Sequence, residues 1–281
     1  MDSAFLIVAI IPASIYLYYK QTAIQSQEKS ILESKEKPIQ KTVPSLDRTI
    51  GETNAICPYC ETELEKKPSR KKQCPHCENY IYKRTRPYDD AHIIIREDQI
   101  EDLEEQWAIA NGEYDLFLKE KKRKERIANR LTDQYGNEPN KEDVEFRALN
   151  EKATEFEFKG DWGFARNMRL KMAQNLEQRE IYKLAFRSYC HVCFLDINGP
   201  NNRSGTSKET LEKFPYFTPE SAVLAPGVIR LMEDLIDKLN YDSEKVRNEF
   251  IEVATPIHEG TPTPIPPVKA WPTLKKELMS E

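Results

Sequence analysis

Four cysteines set in two Cys-Pro-x-Cys pairs constrain this chain more than any other feature. Cys57 and Cys60 lie in CPYC and Cys74 and Cys77 in CPHC, with 13 residues between the pairs. A two-residue gap lets both thiolates of a pair reach one ion from a tight knuckle. Two knuckles then complete a tetrahedron, the geometry Zn²⁺ prefers. The proline after the first cysteine of each pair fixes φ and pre-shapes the turn. The stretch between the pairs is long enough for a short β-hairpin. Four thiolates leave no ligand position for water, so one Zn²⁺ here is expected to hold structure together and not to catalyse.

The amino terminus is the next constraint. Ala4 to Tyr19 carries no charge, and a helix from Met1 to Lys20 would be about 30 Å long, enough to span a bilayer core. Tyr16, Tyr18 and Tyr19 crowd its carboxy end, where an aromatic interface belt belongs. Asp2 precedes the run where a signal peptide carries basic residues, and large residues at 15–20 offer no cleavage site. The expectation is an uncleaved single-pass anchor in the cell membrane over 1–20. Lys20, Lys29, Lys35 and Lys37 follow the run and no Lys or Arg precedes it, which predicts that the bulk of the chain is cytoplasmic. Zinc thiolates persist in the same reducing compartment. Residues 21–55 are polar, with Pro38 and Pro44, and read as a flexible linker.

Beyond the cysteines the pattern turns helical. Ile100, Leu103, Trp107 and Ala110 form one amphipathic stripe, closed by Asn111-Gly112. A second helix is predicted from Glu113 to about Tyr135, with KEKKRKER at its centre and Ile127, Leu131 and Tyr135 at four-residue steps. Such a basic run reads first as a solvated face. A third, over 141–158, places Phe146, Leu149, Ala153 and Phe156 together, and one long helix is predicted from Trp162 to about Asn198. Late in it come Cys190 and Cys193, of which Cys193 falls on the apolar stripe of Tyr182, Phe186 and Tyr189 and reads as a core residue. Two more helices follow, one after Pro226 and one after the N-cap candidate Asp242. Six prolines over 256–272 predict a stiff polyproline tail. The expected organisation is thus mainly α: an anchor at 1–20, a linker at 21–55, a metal-binding module at 56–86, a helical domain at 93–255 and a Pro-rich tail at 256–281.

Two resemblances sharpen this. The four-cysteine segment resembles a zinc ribbon, although many ribbons carry Gly directly after the second Cys of a knuckle, where Glu61 and Glu78 stand. EFKGDWGFARNMRLKMAQ resembles the turn and second-helix start of a tetratricopeptide-like hairpin, with Gly160 as the turn and Asp161 as N-cap. CPHCENYIYKRTRP, EEQWAIANGEYD, GDWGFAR and YCHVCFLDINGPNN together look like a group of uncharacterised zinc-ribbon proteins of bacteria and their phages. That resemblance implies a ribbon followed by a helical body, and no particular reaction.

Function has to be read from what remains. The sequence holds no GxGxxG, P-loop, HExxH or GxSxG. A net charge of −5 gives no global attraction to nucleic acid. Locally, between Cys57 and Arg86, eight basic side chains face four acidic ones. Four thiolates with one Zn²⁺ lower that surplus to about +2. Lys71, Lys72, Tyr80, Tyr82, Lys83, Arg84 and Arg86 interleave cations with rings that can stack bases. The expected function is a membrane-anchored, non-enzymatic interaction or adaptor module for a protein partner. The alternative is nucleic-acid binding through this basic, aromatic-flanked ribbon.

Overall fold

The computed structural model describes residues 43–203 and 207–278, which fold as two units, one running to Arg126 and one from Ile127. The anchor expected at 1–20 lies outside the described residues. Among the described residues no helix is long and apolar enough to cross a membrane.

The first unit is built on a three-stranded antiparallel sheet of order β1-β2-β3: β1 (Lys72–Gln73), β2 (Tyr80–Thr85) and β3 (His92–Ile95). Tyr82 pairs with Ile95 and Arg84 with Ile93, so these share one face with Tyr80 and Gln73. On that face Ile50, Tyr82, Ile93 and Ile95 pack with Leu103 and Trp107 of helix α1 (Ile100–Ala110). The Trp107 indole N–H donates to the Thr85 carbonyl at 3.0 Å. On the opposite face Ile81 and Ile94 pack against Cys57, Cys74 and Leu64. Period-two alternation thus sends one set of strand side chains to a helix and the other to the cysteines. The packed sheet thus extends past the predicted bounds of 56–86 on both sides, to Ile50 before them and to β3 and α1 after them.

Helix α2 (Tyr114–Tyr135) holds the basic run in its part within this unit, up to Arg126, and continues into the second. There Ile127 and Leu131 pack on Val144 and Ala148 of α3 (Lys141–Lys159), while Tyr135, expected on the same stripe, is exposed. Asn140 caps α3 by accepting from the Asp143 amide at 2.7 Å, and Gly160 ends it at φ 77°. A Cβ on Gly160 would collide with the Tyr216 ring, so the predicted turn glycine is required twice over.

The long helix predicted over 162–198 is instead two, α4 (Trp162–Gln178) and α5 (Tyr182–Asn198). Glu180 adopts φ 59°, and its amide and that of Ile181 return to the Glu177 and Leu176 carbonyls at 2.9 Å. This left-handed closure reverses the chain without a glycine, which is why periodicity did not reveal it. α5 becomes the central helix of the body: Ala185, Phe186, Tyr189, Cys190, Cys193 and Phe194 are all fully buried. It packs against α4, α7 (Pro226–Leu239), α8 (Ser243–Gly260) and α9 (Pro267–Leu278). The short α6 (Lys208–Lys213) precedes Phe217, which stacks on Trp162 at 5.2 Å.

The Pro-rich segment is not a polyproline tail. Pro256 lies inside α8, Pro267 opens α9 and Pro272 sits within its first turns. Proline is tolerated at a helix start, as at Pro267, where the missing N–H has no intrahelical partner, whereas Pro256 and Pro272 each forgo one helical hydrogen bond. Ala270, Trp271 and Leu274 are buried, with Trp271 6.0 Å from Phe250, so core packing overrides the compositional signal.

Candidate metal centre

Each knuckle is a six-residue hairpin loop. The Cys57 amide donates to the Thr62 carbonyl and the Glu61 amide returns to the Cys57 carbonyl, both at 2.9 Å. In the second loop Cys74 donates to Asn79 at 2.9 Å and Glu78 to Cys74 at 3.0 Å. The flanking pairs are Ile56 with Glu63 and Gln73 with Tyr80. The predicted hairpin between the cysteine pairs is thus replaced by hairpins that each contain one pair. Glu61 and Glu78 both take φ 58°, the left-handed conformation that ribbons usually assign to glycine. The knuckle geometry survives the substitution, at roughly 1–2 kcal/mol per residue relative to glycine's freedom there.

The loops bring four sulfurs together. Every pair of ligand atoms among Cys57, Cys60, Cys74 and Cys77 lies within 4.8 Å. The Cys57 and Cys77 sulfurs are 3.7 Å apart, and those of Cys60 and Cys74 are 3.8 Å apart. A tetrahedron with metal–sulfur bonds of about 2.3 Å has edges of about 3.8 Å, so the donor set fits Zn²⁺ and is far too open for disulfides. All four are free cysteines. Burial pushes the Cys57 thiol up to about 12, while the Thr62 hydroxyl and amide hold Cys60 down to about 6. Four cysteines in this arrangement can hold a metal ion, and they are the one such cluster among the described residues.

A third loop repeats the template without cysteine. Arg86 donates through its amide to the Ala91 carbonyl at 2.9 Å, Asp90 returns to Arg86 at 3.0 Å, and Asp90 sits at φ 57°. Its flanking pair is Thr85 with His92. Where the knuckles carry Cys at the first and fourth positions, this loop carries Arg86 and Asp89 in a bidentate ion pair, Nε–Oδ1 3.0 Å and Nη2–Oδ2 2.7 Å. The Arg86 guanidinium also donates through Nη1 to the Arg48 carbonyl at 2.6 Å and the Ile50 carbonyl at 3.3 Å. It holds the Asp89 carboxyl below the usual carboxylate range. The signal was present in the sequence: Arg86-Pro-Tyr-Asp-Asp aligns position for position with Cys-Pro-x-Cys-Glu, with proline second in all three.

The seven residues read as a nucleic-acid surface are divided by this architecture. Arg86 is withdrawn from it, since its guanidinium is buried and spent on Asp89 and two carbonyls. Strand alternation turns Lys72 and Lys83 toward the face opposite Tyr80, Tyr82 and Arg84. Tyr82 is buried, while Tyr80 is 46% exposed. Lys71 reaches across both rings, its Nζ 4.3 Å from the Tyr80 centroid and 5.0 Å from that of Tyr82. Arg84 lies 5.5 Å from the Tyr82 ring. Lys71, Tyr80 and Arg84 therefore form one exposed cation–aromatic patch.

In the body, Cys193 is a core residue as expected, its thiol 3.4 Å from the Met232 sulfur, and Cys190 is buried as well. The loop at 199–202 that follows α5 is used internally: Asn202 accepts from the Phe164 amide at the start of α4 at 2.7 Å. A shallow cleft of about 360 Å³ beside it is walled by Arg166 and Asp196, which satisfy each other in a bidentate pair. Comparison with protein-family models, curated proteins and solved structures finds no match.

Proposed function

We propose that this chain is a non-enzymatic interaction protein whose ribbon is held by one structural Zn²⁺ on Cys57, Cys60, Cys74 and Cys77. The observation that carries the reading is the tetrahedral spacing of four protein sulfurs, which fills the coordination sphere and leaves no position for a substrate or water. Zinc bound there stabilises the loops; the chain's own residues do the recognising. The apolar run at 4–19 supports a membrane tether with the remainder cytoplasmic, and the helical body supplies a docking surface for a protein partner. The resemblance to bacterial and phage zinc-ribbon proteins supports the same layout. Metal analysis of the purified full chain tests the first part: one zinc per chain, lost in Cys74→Ser, is expected. A chain that folds fully with no metal would overturn it. Deleting residues 1–20 is expected to move the protein from the membrane to the soluble fraction.

A second reading, nucleic-acid binding, is favoured by the patch of Lys71, Tyr80 and Arg84. Phosphate contacts release counterions, so affinity for a labelled oligonucleotide should fall log-linearly with salt. Binding through apolar helix faces would show little such slope.

A further inference from the structure

The patch is assembled from two parts of the sheet that are secured by different means. Tyr80, Tyr82 and Arg84 belong to β2, which is joined to β3 by four residue pairs and packed on α1. The loop closing that hairpin is stapled by Arg86 and Asp89, and needs no metal. Lys71 belongs to the segment between the knuckles, which meets β2 through only two residue pairs, Lys72 with Ile81 and Gln73 with Tyr80. The apolar cluster under that segment is Leu64, Ile81 and Ile94, completed by the cysteines themselves. Apart from the sulfurs, the segment is held by Lys67, whose ammonium donates to the Thr53 and His92 carbonyls four residues before Lys71, so without an ion Lys71 itself keeps only the two-pair strand beside it.

We infer that the Lys71–Tyr80–Arg84 patch is a metal-gated site for single-stranded nucleic acid: bound metal places Lys71 over the rings, and its loss removes that cation while β2, β3 and α1 stay folded. The ligand class follows from the exposed Tyr80 ring with Lys71 against it and Arg84 beside the neighbouring Tyr82, an arrangement in which a ring stacks a base while the cations meet phosphates. The inference rests on the nucleic-acid reading above. It also opposes a simple charge effect. A four-thiolate zinc centre carries a net charge of about −2, so electrostatics alone would make the metal-free protein the tighter binder of a polyanion. Gating by Lys71 demands the reverse order.

The test titrates the zinc-loaded full chain with labelled oligo(dT) across a salt series, before and after chelation. Chelation is expected to weaken binding and to lower the log–log salt slope by about 0.7, the loss of a single phosphate contact on a single strand. Lys71→Ala should do the same with zinc present, and chelating that variant should lower the slope no further. Hydrogen exchange read in parallel should show protection lost between Glu61 and Gln73 and kept at Ile93–Ile95. Oligo(dT) binding that is unchanged or tightened by chelation overturns the gating alone, as does a metal effect that persists in Lys71→Ala. Protection lost throughout β2 and β3 also overturns it. No binding by the zinc-loaded chain at low salt overturns the nucleic-acid reading, and the gated site with it.

Discussion

Two kinds of staple close the same loop in this protein. The knuckles at Cys57–Thr62 and Cys74–Asn79 and the turn at Arg86–Ala91 share their backbone hydrogen bonds, their left-handed fifth residue and their flanking strand register. Two of them meet at one metal-binding cluster; the third is closed by its own ion pair. The difference separates what the fold asks of the backbone from what it asks of the side chains. Proline in second position and a residue that accepts φ near 58° make the loop. The first and fourth side chains decide whether it depends on anything outside the chain.

The comparison breaks most visibly at the metal. Zinc binding to structural sites of this type contributes roughly 10–16 kcal/mol apparent, so Cys74→Ser should unfold the segment carrying both knuckles. Protease resistance over 56–79 should be lost while that of the body from Lys141 to Leu278 is retained, since no metal cluster is found there among the described residues. A variant that keeps full zinc content and full resistance would show that the four sulfurs are not the staple. The third loop should respond on a smaller scale. Arg86→Ala removes donors from two carbonyls and from Asp89, and losses of this sort cost about 1–3 kcal/mol. Zinc stoichiometry should stay at one per chain while the β2–β3 hairpin loses exchange protection; a loss of metal instead would mean the two staples are coupled.

Acid should separate the staples in order. Protons compete with metal for four thiolates, so metal affinity falls as pH falls. The Asp89 carboxyl is depressed in the folded state by Arg86. A depressed carboxyl contributes stability above its unfolded value, near 3.8, and loses it only as pH falls through the lower folded value. Metal release, followed with a chromogenic chelator, should therefore precede loss of the β2–β3 hairpin during acidification. Simultaneous loss would mean that the hairpin has no independent stability.

Much of this was legible in the sequence, and the failures share a cause. Ligand spacing identified the cysteine cluster because a metal imposes geometry on residue identity at fixed intervals. Helix starts at Pro226 and Asp242 were readable where an N1 proline or a cap marks them. The break at Glu180 was not, because a non-glycine residue occupies the left-handed position there, and the third loop at Asp90 shows only when Arg86-Pro-Tyr-Asp-Asp is aligned with the two knuckles. The proline segment misled for the opposite reason, as its composition describes an isolated chain and Trp271 docks on Phe250 in the core. In the candidate nucleic-acid set, alternation along β2 was available from the sequence. The partners that bury Arg86, at Arg48 and Ile50, lie 38 and 36 residues away and were not.

The finest difference among the loops lies in their fifth residues. Glu61, Glu78 and Asp90 all hold φ between 57° and 58°. Glycine relieves roughly 1–2 kcal/mol of left-handed strand-end strain and returns about 0.5–1 kcal/mol as extra chain entropy in the unfolded state. Each substitution should therefore stabilise its loop by less than about 1.5 kcal/mol. Aspartate tolerates the left-handed region better than glutamate, because its short side chain can bond to nearby backbone. Glu61→Gly and Glu78→Gly should accordingly gain more than Asp90→Gly, read as shifts in the chelator concentration that releases metal for the first two and as hairpin exchange protection for the third. Equal gains at all three would show that backbone strain alone governs the loop. A loss at Glu61 or Glu78 would show that those carboxylates do work at the metal-binding loops beyond filling a turn.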